Sequence, residues 1–273
     1  MKKKYMVIIG LVFLVLALSI SCENNEVVRP VEREKTIFDN EEMMNLEVEN
    51  IGKIHNEILQ EFDKKHDLLS DGRLKPEEFI TLTMKSINKI FQQRDLPCEV
   101  SRNDIRFIIS KFVEIKQAGV YNFFSDSEQD LSNVKQLFTY LEKNMGLNPN
   151  TAERCMKFID MAEKEDQSRM LLQKEAYNKI DNENTQYFSE IFVYSRDFWE
   201  IKNRSIELVC QEEDYVIKSI DGMFFADAAG GIIGALFGGG IASTIMAPAA
   251  SLAFQCQMDN PEYWLPPTHI GRW

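Results

Sequence analysis

The sequence predicts an all-α fold: an irregular bundle of about six to eight helices plus a C-terminal Gly-rich hydrophobic helix or hairpin. Three observations predict it. From Asn40 to about Val209 apolar residues recur at spacings of three and four, the period of one helix face. No segment sustains the alternation of a half-buried strand. The stretch from Ala228 to Phe254 carries no charge and is far too long for a strand. The chain has 273 residues, with 44% hydrophobic and 27% charged. That is a globular composition, and enough length to bury a real core.

The elements follow in order. Residues 1–21 read as a lipoprotein-type signal peptide. Lys2, Lys3 and Lys4 precede an apolar run from Met6 to Leu18, and Ser19-Ile20-Ser21 leads into Cys22. Small residues before a Cys resemble the lipobox of bacterial lipoproteins, in which that Cys carries the lipid. Leu18 stands one place further from the Cys than the usual Leu, a relaxed form found in Bacteroidota. The other reading is an uncleaved anchor, since Tyr5 to Cys22 is just long enough to span a bilayer. Residues 22–38 are polar, contain Pro30 and show no apolar period, so they read as a flexible tether. Residues 39–221 are the helical domain.

Within that domain Ile51, Ile54, Ile58 and Phe62 make one face; Phe79, Ile80, Ile87, Ile90 and Phe91 make a second; Ile105, Ile108, Ile109 and Phe112 a third. Leu131, Val134, Leu137, Phe138 and Leu141 follow, then Ala152, Cys155, Met156 and Ile159, then Phe188, Ile191, Phe192, Ser195 and Trp199. Start and stop signals agree with these faces. Pro76 suits a first helical position, as does Pro149 behind Asn148. Ser101 precedes a helical run, and Asp126 with Gln129 resembles a capping box. Gly119 and Gly146 stand where a left-handed C-cap needs glycine.

Residues 222–258 form a hydrophobic segment with Gly-zipper spacing, and residues 259–273 a Pro- and aromatic-rich tail. More than half of the 13 glycines lie between Gly222 and Gly240. One row runs Gly230, Gly234, Gly238 and a parallel row Gly231, Gly239. Glycine at every fourth position bares helix backbone for close approach by another helix. Each such Gly costs a helix about 1 kcal/mol relative to Ala, so close packing or a bilayer must compensate. Pro248 is expected to divide the stretch into a long helix and a shorter one. Three uses compete: a hairpin packed on the domain, membrane insertion, and association with a partner or a second copy.

Candidate chemistry is sparse. His55 and His66 lie three turns apart on one helix, about 16 Å of rise, and cannot share a metal. His55 falls on the apolar stripe of Ile51 and Ile58. Asp67, Asp71 and Glu78 mimic an EF-hand loop, but Leu69 and Lys75 occupy ligand positions, so no metal is expected. Nucleophile elbows, Walker loops, zinc-protease and dinucleotide motifs are missing. No catalytic residue and no cofactor is assigned, and an enzyme is disfavoured. The net charge is −12, and it becomes −15 once Lys2, Lys3 and Lys4 leave with the signal. Such a balance argues against nucleic acid as a partner. With Cys22 lipidated, Cys98, Cys155, Cys210 and Cys256 remain, either as free thiols or as one or two disulfides.

Three short motifs carry a resemblance. They are Gly52-Lys53-Ile54-His55-Asn56-Glu57-Ile58-Leu59, then Ser195-Arg196-Asp197-Phe198-Trp199, then Ala226-Asp227-Ala228-Ala229-Gly230. Together they make the chain similar to a group of uncharacterised bacterial proteins, common in Bacteroidota and often lipoproteins. The resemblance implies a location in the cell envelope, at the outer membrane or cell surface. It makes Gly52, His55, Asn56, Ser195 and Trp199 a signature, and it implies no activity. The expected function is a non-enzymatic interaction or structural module, lipid-anchored through Cys22. The alternatives are a membrane-active, bacteriocin-like effector that inserts its Gly-rich segment, and a hydrolase using His55 with nearby carboxylates.

Overall fold

A computed structural model describes residues 36–37, 46–66, 68, 74–96, 98–120, 131–163, 167–179, 183–209 and 220–257. The signal, Cys22, most of the tether, Asp67, Asp71, the Asp126–Gln129 pair, Cys210 and the Pro-rich tail lie outside them, as does the side chain of Cys256. The described residues form eight helices and no strand. They are α1 (Val48–Lys65), α2 (Pro76–Gln93), α3 (Arg102–Gln117), α4 (Leu131–Met145), α5 (Pro149–Glu163), α6 (Gln167–Tyr177), α7 (Glu183–Val209) and α8 (Ile220–Gln257).

The helices begin and end where local chemistry dictates. Pro76 opens α2, where a missing N–H costs nothing. Ser101 caps α3 in a reciprocal box: its hydroxyl accepts from the Asp104 N–H, and the Asp104 carboxylate accepts from the Ser101 N–H. The Asn148 side chain accepts from the Asn150 N–H at the start of α5. Gly119 and Gly146 both take positive φ just past α3 and α4, the left-handed cap that glycine supplies.

α7 and α8 form the centre. α1 lies against both; α2 and α3 continue from α1 around α8; α4, α5 and α6 step back onto α7. Each predicted face is buried where its side chains are described, with Met156 only half-buried. Ile51, Ile58, Phe62, Phe79, Phe91, Phe112 and Phe192 are at 0% exposure. Phe192 gathers a ring cluster with Phe158, Phe188, Phe224 and Phe225 at centroid distances of 5.2–6.0 Å.

The Gly-rich segment is folded on itself. α8 breaks at Gly238 and Gly239, whose φ/ψ are −172°/33° and 63°/−146°, into arms Ile220–Phe237 and Gly240–Gln257. The expected break at Pro248 is corrected: helix runs through it. Gly239 adopts a backbone region open to glycine alone, so the chain reverses there. Pro248 removes one donor, and hydroxyls attend to carbonyls on either side: Thr244 Oγ1 donates to Gly240 and Ile241, and Ser251 Oγ to Pro248.

The two arms meet backbone to backbone. A Cβ on Gly230 would lie 2.6 Å from the Met246 carbonyl oxygen, and one on Gly234 would lie 2.6 Å from Ala242 and Ser243 main-chain atoms. Ser243 Oγ donates across the hairpin to the Gly231 carbonyl at 2.9 Å. Gly231 itself faces Ile191 of α7, and Gly240 faces Ile51 and Leu46. Gly238 and Gly239 form the turn and do not extend the packing rows. Met223–Gln255 is long and apolar enough to cross a membrane, yet 72% of its most apolar window is buried within this fold. Burial on all sides matches a helix that is apolar all round.

Charged pairs fasten the outer helices. Glu61 of α1, 3% exposed, accepts from Lys89 of α2 at 2.8 Å and pairs with Lys65 at 3.0 Å. Burial pushes the Glu61 carboxyl up, but the hydrogen bonds and charges of Lys89 and Lys65 outweigh it and leave the group below the ordinary glutamate value of 4.5. A carboxylate lowered in the folded state contributes stability that is complete above its unfolded value and is lost as pH falls through the folded one. Glu61→Gln should therefore flatten the fall in melting temperature below about pH 4.5, read by thermal unfolding of both proteins from about pH 6 to 3.

Candidate functional site

The signature residues converge. Gly52, His55 and Asn56 lie on one stretch of α1, Ser195 and Trp199 on the facing stretch of α7, and Asp227 on the first arm of α8. Gly52 lets α1 approach closely, because a Cβ there would collide with the Tyr194 ring and approach the Glu190 carbonyl. That approach brings His55 to the middle of the three helices. Asn56 Nδ2 donates to the Tyr194 carbonyl at 2.8 Å, which turns Asn56 Oδ1 toward His55 Nδ1, 2.9 Å away.

Asp227 is the hub. Ser195 Oγ donates to Asp227 Oδ2 at 2.5 Å, Trp199 Nε1 donates to the same oxygen at 2.9 Å, and His55 Nε2 lies 2.9 Å from Asp227 Oδ1. His55, Ser195 and Asp227 are 0% exposed and Trp199 is 2% exposed. The His55–Asp227 contact is short but lies off the N–H axis, closer to an ion pair than to an aligned hydrogen bond.

Proton placement follows from the amide. With Asn56 Nδ2 committed to a carbonyl, Asn56 Oδ1 can only accept, so His55 Nδ1 carries a hydrogen. His55 Nε2 then comes within 2.9 Å of Asp227 Oδ1 across the contact between α1 and α8.

Ser, His and Asp are all present, yet they are not arranged as a catalytic triad. Ser195 gives its hydrogen to the carboxylate, and the imidazole also faces the carboxylate, so the base does not activate the hydroxyl. Among the described residues, two open depressions of about 420 and 460 Å³ are lined by side chains outside this cluster. The cluster instead does what a buried polar group needs: it satisfies the one charged side chain between Met223 and Gln255, which would otherwise be costly.

A second buried carboxylate ties α6 to α7. Glu190 accepts from Lys174 and from Asn178 Nδ2, and the Lys174 ammonium lies 5.3 Å from the Tyr194 ring centroid. Among the described residues no group of three or more His, Cys, Asp or Glu is placed to hold a metal ion. Glu78 is exposed in the first turn of α2, and His66 packs edge-on to Phe62. Cys98 and Cys155 are free thiols, and burial pushes both up from the usual thiol range, Cys155 the further.

Sequence reasoning placed four polar members of this cluster in a signature and quoted its centre, Asp227, within a motif without giving it a role. The signal was available: Asp227 is the single charge between Met223 and Gln255, and a lone acid on a buried helix requires partners. No protein-family model, curated protein or solved structure matches the chain.

Proposed function

We propose that this chain is a non-enzymatic helical module of the bacterial cell envelope, held at a membrane by a lipid on Cys22 and acting through its packed helices. The observation that carries the non-enzymatic half is the sealed Asp227 cluster. The residues best suited to chemistry are fully buried, and their hydrogen bonds are spent on joining α1, α7 and α8. The resemblance to envelope lipoproteins and the Ser19-Ile20-Ser21-Cys22 sequence support the anchor. Acyl chains contribute about 0.8 kcal/mol per buried methylene, so the lipid supplies the membrane affinity that the acidic chain lacks.

The effector reading has one observation in its favour. Each arm of the hairpin, Ile220–Phe237 and Gly240–Gln257, is close in length to the thickness of a hydrocarbon core. One experiment decides between them. Cells expressing the full chain are fed labelled palmitate, and their membranes are then extracted with alkaline carbonate. The wild type should take up label and remain with the membranes, whereas a Cys22→Ala form lacking its signal should carry no label and be released. If that signal-less Cys22→Ala form stays in the pellet after carbonate, insertion of the hairpin is supported, and an unlabelled wild type removes the lipid anchor.

A further inference from the structure

The hairpin turn is the part of α8 that is not sealed. Ala235, Leu236, Phe237, Gly238 and Gly239 are half-buried, whereas their neighbours on both arms are buried. Leu236 and Phe237 line an open depression of about 420 Å³ together with Lys111, Glu114 and Ile115 of α3 and Tyr140, Asn144 and Met145 of α4. Phe237 packs edge-on to Phe107 at 5.6 Å, and the Lys111 ammonium lies 5.6 and 5.8 Å from the two ring centroids. Apolar side chains, a tyrosine and long-stemmed polar side chains, among them the Lys111–Glu114 pair at 2.8 Å, can meet the boundary between headgroups and acyl chains.

The chain arrives at this same end of the molecule. The Ile37 N–H donates at 2.8 Å to the Asp104 carboxylate in the first turn of α3. Phe107, which touches the hairpin tip, is three residues further along α3, one turn on the same face. Leu46 meets the hairpin beside the turn, at Gly240. Even fully extended, the stretch from Cys22 to Ile37 reaches no further than roughly 50 Å. A lipid on Cys22 is thus joined to the fold at Ile37, which bonds to the helix that packs against the half-buried apolar tip.

We propose that the hairpin tip, with Leu236 and Phe237 at its centre, is the membrane-contacting face of the anchored protein, and that its partner is the bilayer holding the Cys22 lipid. The contact is interfacial: the tip enters the headgroup boundary while the arms stay packed in the bundle. It rests on the lipid-anchor reading.

The test uses the full lipidated chain in vesicles of phosphatidylethanolamine and phosphatidylglycerol whose acyl chains are brominated. Leu236→Trp reports the tip, and Leu172→Trp, at a 66% exposed position on α6, reports another surface. The wild-type emission of Trp199, Trp264 and Trp273 is subtracted. The Leu236→Trp probe should lose roughly half of its emission to the bromines, as expected of a residue several ångströms into the boundary, and the Leu172→Trp probe should lose little. Phe237→Trp is a second tip probe should Leu236→Trp melt early. Equal quenching at tip and control in vesicle-bound, palmitate-labelled protein overturns the tip contact alone. Absence of palmitate overturns it through its premise, because nothing then brings this end of the fold to a bilayer.

Discussion

Asp227→Ala is expected to destabilise the fold by about 3–5 kcal/mol, the range for removing one partner from a buried charged cluster. The variant leaves the Ser195 hydroxyl, the Trp199 indole N–H and the His55 imidazole in a dry interior without the group that held them. In a chain of this size such a loss lowers the melting temperature by on the order of 10 °C, read by thermal unfolding of the mature protein. Asp227→Asn separates charge from hydrogen bonding. Its amide oxygen can still accept from Ser195 and Trp199, and its NH₂ can donate to a neutral His55 Nε2. The Asn variant should therefore lose less than about 2 kcal/mol. If Ala and Asn are equally harmful, the charge of Asp227 beside His55 is what matters, and the hydroxyl and indole bonds are secondary.

Gly234→Ala should be destabilising by about 2 kcal/mol or more relative to Gly231→Ala, although both substitutions gain the same helix propensity. The difference lies in what the new methyl meets. At 231 it meets the Ile191 side-chain end, 2.5 Å away, which can rotate aside. At 234 it meets main-chain atoms of Ala242 and Ser243, which can yield only if the arms part. Parting them also stretches the Ser243 hydroxyl from the Gly231 carbonyl. Urea unfolding of the two variants beside the wild type measures the gap. Equal midpoints would mean that the arms are not in backbone contact in solution.

Much of the fold was legible because helix signals are local. Apolar spacing placed the faces of α1, α2 and α3, and Pro76, Ser101, Gly119 and Gly146 marked ends that the structure confirms. The turn of α8 was misplaced because proline is usually the stronger breaker. Pro248 is accommodated inside a helix, whereas Gly239 takes a conformation that only glycine reaches, and paired glycines carry no local mark that says which will turn. The polar cluster was legible only in part for a different reason. His55 looks like a core residue from its periodicity, and it is one. Its meaning depends on Ser195, Trp199 and Asp227, which lie far along the chain and which only tertiary packing brings near.

That distance has a bearing on how the chain acquires its structure. The element that fills the centre, α8, is the last helix to be synthesised among those described, and Gln255 closes onto Leu68 across 187 residues of sequence. Until it arrives, the faces of α1 and α7 that α8 covers are open to water and to chaperones. Long-range closure of this kind is slow and leaves intermediates exposed. Under the envelope location we propose, that order suits passage through a translocation pore, because the bundle is not complete until its C-terminal helix has crossed.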